Sequence, residues 1–328
     1  MANRPTVCVC VPVWKGSQFV AETLTSILYQ QGVELIVRIS VDGADAESAD
    51  VCSDFLSDKR CELTVQPTRL GWVKNTAWLL ERAEGDYVCI QPHDDLIAEN
   101  YLSTLLGVAE TTPEASAVYS DIEAFGDHNG TITQPSVTGS SLTRQLALLL
   151  DHFNAVAFRG LTRIDTVRKV GVPTGSPFAD YAADTVYMAQ LAQAGELHRV
   201  PLLLYRKRYH PANTHWAWDR WSRQEKVAAW GQHCADMLAQ ALAINGLDAT
   251  KRAILARAAV LRSSSAFAFA DAAKFSDGER RQMMVAFFEA AKKNPAINWN
   301  KIFAGSETLV LNDVFHCNPY PSAERERW

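Results

Sequence analysis

Between residues 6 and 125, short apolar runs alternate with segments whose apolar residues recur at helical spacing. That alternation commits the chain to a layered α/β sheet. Thr6–Val13 reads as the first strand. Ser17 is placed to cap a helix that carries Phe19, Val20, Leu24, Ile27 and Leu28 on one face. Leu35–Val41 is a β-branched second strand that ends at Asp42-Gly43, and Glu62–Gln66 is a third. Val51 and Phe55 mark the helix between them. A helix over residues 74–84 stops at Gly85, Tyr87–Gln91 forms the fourth strand, and Leu102, Leu105, Leu106 and Ala109 line a helix before the strand Ala117–Ile122. Residues 126–140 are rich in Gly, Ser and Thr and read as a loop. Leu142–Asp151 and Thr185–Ala194 are helical, and Leu197–Tyr205 is a further strand. From about Trp216 the pattern becomes nearly continuous amphipathic helix through residue 304.

At 328 residues the chain can bury one large domain with an appendage, expected as 1–216 and 217–328. A net charge of −5 argues against a nucleic-acid partner, which calls for a basic stripe. Seven cysteines, with no Cys-x-x-Cys pair and no zinc spacing, imply reduced thiols and a cytoplasmic setting. The amino terminus, Met-Ala-Asn-Arg-Pro, has no secretory signal pattern, and no apolar run reaches the roughly 18 to 20 residues of a membrane span. Peripheral contact with the inner face of a membrane, and a homo-oligomer, stay open.

The fourth strand leads into His93-Asp94-Asp95, and the Leu-Ile-Ala-Glu-Asn-Tyr that follows, residues 96–101, reads as a helix entry. A buried strand that delivers paired carboxylates to its C-terminal end places them where open α/β sheets bind ligands. Magnesium or manganese at such a place is held by one or two carboxylates plus phosphate oxygens. The plainer alternative is a pair of solvated turn aspartates.

Four segments, in this order, resemble family 2 glycosyltransferases of the GT-A fold. They are "VCVCVPVWKGSQFVAETLTSILYQQ", "LIVRISVDGADAES", "RLGWVKNTAWLLERAEGDYVCIQPHDDL" and "ADTVYMAQLAQAGELHRVPLLLYRKRYHPANT". The resemblance covers residues 5–216. It implies a Rossmann-like mixed sheet flanked by helices, followed by an α-helical C-terminal region. It also implies inverting transfer of a sugar from a nucleotide-diphosphate donor to a hydroxyl of a glycan or glycoconjugate, as in polysaccharide biosynthesis, assisted by Mn2+ or Mg2+. Carried over by position, Pro12 and Trp14 line the nucleobase pocket, and Asp42 accepts a base N–H, which favours UDP- or dTDP-sugars. Asp94 lies near ribose or metal, Asp95 binds the metal, and Asp184 is the general base. His210 adds a metal ligand, Arg206 pairs with phosphate, and His93 and Arg159 face the acceptor.

The chain departs from the family pattern at four places. Pro92 replaces the first Asp of the fullest Asp-x-Asp form, Val41 replaces an Asp before Asp42, and Ala183 replaces a Glu before the base. An extra residue separates Tyr205-Arg206 from His210. Two other readings stay open: a glycosyltransferase-like protein that binds nucleotide sugar without turnover, and a sugar nucleotidyltransferase. For the latter, Pro-Val-Trp-Lys-Gly is a poor phosphate loop. Asp180 competes with Asp184 for the role of base. Trp216, Trp218 and Trp221 suit helix packing better than sugar stacking, and the stripe Met283, Met284, Val285, Phe287 and Phe288 suits burial better than lipid.

Overall fold

The computed structural model describes residues 4–151, 155–265 and 274–303. These fall into two compact units, residues 4–144 with 155–218, and residues 145–151 with the described part of 219–303.

The first unit is built on one nine-stranded mixed sheet. Its strands are β1 (Thr6–Val13), β2 (Glu34–Val41), β3 (Cys61–Val65), β4 (Tyr87–Ile90), β5 (Leu96–Ile97), β6 (Ala115–Gly126), β7 (Gly130–Ile132), β8 (Leu161–Arg163) and β9 (Glu196–Tyr209). They are ordered β3-β2-β1-β4-β8-β6-β9-β5, with β7 paired to β6. The first four run parallel, β8 is antiparallel to both its neighbours, and β6 and β9 run parallel to each other. Every residue of β4 is buried, as are Val7–Val11 of β1, which suits strands covered on both faces by helices. Helix α1 (Val20–Leu28) turns Val20, Leu24 and Ile27 inward at helical spacing, each worth about 1.5–3 kcal/mol of burial. The order reverses between β1 and β4, so this is the switch point where ligands meet strand ends.

Local structure corrects the sequence reading at several places. Helix α1 begins at Val20 behind Phe19, without a side-chain cap from Ser17. Helix α3 (Trp72–Glu81) starts and stops earlier than 74–84, ending four residues before Gly85. Leu96–Ile97, expected to lead into a helix, instead pairs antiparallel with Tyr205 and Arg206, and helix α4 waits until Tyr101–Thr111. Strand β9 runs on to Tyr209. It carries an irregularity where Ser120 pairs with Val200 but Asp121 pairs with Leu203, so Pro201 sits at a break in the ladder, where its missing N–H costs nothing.

The second unit is helical: α9 (Arg223–Leu242), α10 (Ala249–Ser265), α11 (Asp277–Lys293) and the short α12 (Trp299–Phe303). The expected continuous helix is broken by capping boxes, Ser222 with Glu225 and Ser276 with Glu279, in which each serine and glutamate satisfy the other's backbone N–H. Of the apolar stripe, Met283 and Phe287 are fully buried while Val285 is 59% exposed. Residue 304 and the polar tail lie outside the described residues. No helix among the described residues is long and apolar enough to cross a membrane. The six described cysteines are free and buried.

Arg262 ties this unit together. It is 3% exposed and donates to the carbonyls of Leu148 (3.0 Å), Leu149 (3.4 Å) and Asp151 (3.3 Å) at the end of helix α5 (Ser141–Leu150). Burial and the Arg262 charge hold His233 well below its usual range, so the ring is neutral and accepts from Arg262 at 3.2 Å. Arg262→Leu leaves those carbonyls without their donor. It should lower unfolding stability by about 2–3 kcal/mol, measured by urea denaturation; an unchanged midpoint would exclude the capping role.

Candidate functional site

The site gathers where the ends of β1, β4 and β9 meet. The pairing of Leu96 with Arg206 carries residues 207–210 alongside residues 93–95. At the centre lies Asp95, 2% exposed and bonded through both oxygens. Oδ1 accepts the Arg208 backbone N–H at 2.8 Å, and Oδ2 accepts the Tyr205 hydroxyl at 2.7 Å and the Arg159 Nε–H at 3.4 Å. Burial and the neighbouring Asp94 charge push its carboxyl up, while Arg159, Tyr205 and the Arg208 amide pull it down. Thr23, on α1, lies with its hydroxyl 2.8 and 2.9 Å from the carbonyls of His93 and Asp95 and fixes this turn to the helix.

Asp94 faces the other way. Its Oδ2 meets His210 Nε2 at 2.9 Å and accepts from Asn213 Nδ2 at 3.1 Å. Burial pushes the Asp94 carboxyl up, but the His210 hydrogen bond and the charges of His93 and His210 outweigh it and hold it low. The His210 loop is itself pinned: its N–H donates to Asn213 Oδ1 at 2.8 Å, Trp216 Nε1 donates to its carbonyl at 3.0 Å, and Phe19 packs on its ring. Arg208 completes the surround, with Nε on the Asp94 carbonyl at 3.0 Å and Nη2 on Glu22.

Asp184 sits in the first turn of helix α7 (Ala183–Ala194), accepting the Thr185 N–H at 2.9 Å. Burial raises its carboxyl above the ordinary aspartate range, against the opposing charge of Arg159. The loop before it is strained: Ala179, Asp180 and Ala182 have φ of 45°, 56° and 51°, as does Lys15 at 50° in the β1–α1 loop. Left-handed conformations in non-glycine residues cost about 1–2 kcal/mol each and gather at functional sites. Asp180 is occupied by the Ser176 N–H at 3.1 Å. Tyr181 packs edge-on against Trp218.

The remaining candidates line the β1 side. His93 Nδ1 meets the Pro12 carbonyl at 3.2 Å, and its ring comes so close to Gly16 that a Cβ there would lie 2.4 Å from His93 Cδ2. Trp14 carries the Arg69 guanidinium over its ring at 4.3 Å. Asp42 is 2% exposed and accepts the backbone N–H groups of Leu70 and Gly71 at 2.5 and 2.9 Å, folding that loop over Gly43 at φ +74°. The structure does not bring Arg206 to the carboxylates; it pairs with Glu123 at 2.8 Å on the exposed side of β9. Arg208 stands there instead. It forms an Arg-x-His spacing with His210, a signal the sequence holds without any extra residue. Tyr205, Asn213 and Thr23 were also missed, because only tertiary contacts bring them to Asp95, Asp94 and the turn between them. Among the described residues, the potential metal ligands that converge within 4.8 Å are Glu114, Glu196 and His198, at the opposite end of β9, where Glu196 and His198 already pair.

Residues 8–167 match the model of Glycosyl transferase family 2. The chain carries a domain of this family. Among curated relatives it is 31% identical over 107 residues to an uncharacterized glycosyltransferase of Haemophilus influenzae, covering 32% of this chain and 42% of that protein. It is 28% identical to glycosyltransferase GlyG of Streptococcus pneumoniae over 30% and 33% of the two chains. The match thus spans less than half the length of either relative. Two solved structures share the GT-A fold. Staphylococcus aureus TarS 1–349, with UDP-GlcNAc, aligns at TM-score 0.60 over 88% of this chain and 91% of its own at 12% identity. A mannosyltransferase from Pyrobaculum calidifontis, with GDP-Man and Mn2+, aligns at 0.53 over 89% and 88% at 16% identity.

The two carboxylates of this family 2 domain should separate by thermal melting. Asp95→Asn puts an NH2 against donors and should lower the melting temperature by several degrees. Asp94→Asn should leave it nearly unchanged, and equal losses would refute the division of roles.

Proposed function

We propose that the chain is an inverting glycosyltransferase that moves a sugar from a nucleotide-diphosphate donor to a hydroxyl of a glycan or glycoconjugate. The observation that carries this reading is one pocket holding two kinds of carboxylate. Asp94 faces His210 and Asn213, and Asp184 stands on a helix start within the electrostatic reach of the same buried Arg159. The family 2 domain, and relatives that bind UDP-GlcNAc or GDP-Man, support a nucleotide-sugar donor.

Asp94 and His210 offer a carboxylate oxygen and an imidazole nitrogen at hydrogen-bond distance from each other, on side chains 14% and 15% exposed, and that donor pair fits a divalent cation such as Mn2+ or Mg2+. Asp95, with both oxygens engaged by β9 and Arg159, serves this reading as the anchor of that pair. A cation bound there would neutralise charge on the diphosphate. Trp14 and Arg69 offer a flat cationic surface to the base, while Asp42 shapes the loop beneath it.

Asp184 takes the proton of the acceptor hydroxyl as its oxygen bonds to the anomeric carbon. The anomeric carbon–oxygen bond breaks in the same displacement, and the nucleoside diphosphate leaves with the electron pair. Inversion follows from a single attack opposite the leaving group. The strained 179–182 loop and the rigid helix behind it hold Asp184 in place, which supplies orientation.

Asp184→Asn should keep donor binding and lower kcat by about a hundred- to ten-thousand-fold. Asp94→Asn and His210→Ala should remove manganese-dependent binding of nucleoside diphosphate in calorimetry. A normal rate for Asp184→Asn would displace it as base. Since the base works ionised and burial raises Asp184, kcat/KM should fall with acidification at a pH above the ordinary aspartate range. A pH profile flat down to pH about 4 would contradict this.

A further inference from the structure

Among the described residues, the three arginines around the carboxylates are paired. Arg159 holds Asp95 and the Ala155 carbonyl, Arg208 holds Glu22 and the Asp94 carbonyl, and Arg206 holds Glu123. The Lys207 ammonium lies 4.8 Å from the centre of the Tyr209 ring and makes no hydrogen bond or ion pair among the described residues. The residue is half-buried. Burial and the nearby Arg159 push it down to about 8, against the pull of Asp95, Asp184 and Asp94. Its ammonium donors face no protein acceptor among the described residues, which leaves them to a ligand oxygen.

Position identifies the ligand. Strand alternation puts Lys207 on the same face of β9 as Tyr205, whose hydroxyl binds Asp95. Lys207 precedes Arg208, whose backbone N–H and guanidinium hold Asp95 and the Asp94 carbonyl, and it stands three residues before His210. It therefore belongs to the strand end that wraps Asp94. We propose that Lys207 holds a phosphate oxygen of the donor diphosphate and stabilises the charge that collects there as the sugar departs. This assignment rests on the glycosyltransferase reading above. Free ammonium donors and an anionic oxygen form a charge-assisted hydrogen bond, about twice as strong as a neutral one. A sugar hydroxyl offers no such charge.

The test is calorimetric titration of the wild type, Lys207→Met and Lys207→Arg with UDP, GDP, CDP and dTDP, each with manganese, and with the matching nucleosides. For the diphosphate that the wild type binds, Lys207→Met should weaken binding about tenfold or more and leave nucleoside binding unchanged, and Lys207→Arg should recover most of the loss. Undiminished diphosphate binding by Lys207→Met overturns the assignment. So does equal loss of nucleoside and diphosphate, which marks a structural role. It is likewise overturned if diphosphate binding holds and only acceptor KM rises, since the anion is then on the acceptor. A wild type that binds none of the four diphosphates overturns the glycosyltransferase reading as well, and is distinguished from the other outcomes by the wild-type titration alone.

Discussion

The buried carboxylate of Asp95 is the contact on which the site depends. It follows β4 in the chain and accepts from Tyr205 and Arg208 on β9 and from Arg159 beside β8, so one charge ties three parts of the sheet together. Removing such a group from water is expensive unless each lone pair is engaged, and here both oxygens are. Because Asp95 is fixed, its neighbour Asp94 is aimed the opposite way, toward His210 and Asn213. Adjacent identical residues thus acquire different environments, one dry and saturated, the other reachable.

Charge balance sets the rest of the pocket. Asp94, Asp95 and Asp184 share the reach of Arg159 and Lys207, and His210 meets Asp94 directly, so each carboxylate has a cationic or imidazole neighbour. Lys15, Ala179, Asp180 and Ala182 hold left-handed backbone in the loops that lead into α1 and α7. Their cost is tolerated because the surrounding sheet and helices over-determine those loops.

Much of this was legible in the residues. The alternation of apolar runs gave β1 to β4, and the break after Gln91 placed the paired carboxylates at a strand end. Misreadings were local. Leu96–Ile97 looked like the start of a helix because two apolar residues followed by Ala-Glu-Asn fit a helical turn, and only pairing with Tyr205 and Arg206 makes them a strand. The helical region was read as continuous because the apolar spacing persists through Ser222-Arg-Gln-Glu225 and Ser276-Asp-Gly-Glu279, where the caps interrupt it. Arg206 was given the phosphate for its place beside Tyr205, yet successive residues of a strand point to opposite faces, so Arg206 leaves the Tyr205 face and pairs with Glu123.

By itself the sequence determined what is local: which segments favour strands and helices, where the carboxylates, histidines and tryptophans stand along the chain, and the α/β class. These follow from periodicity and residue chemistry. The tertiary structure alone decided which of Asp94 and Asp95 is buried, which arginine reaches them, and that Lys207, among the described residues, meets the Tyr209 ring and no carboxylate. Those outcomes turn on the register of β5 against β9, joining residues over a hundred positions apart, and a one-residue slip would send each side chain to the other face.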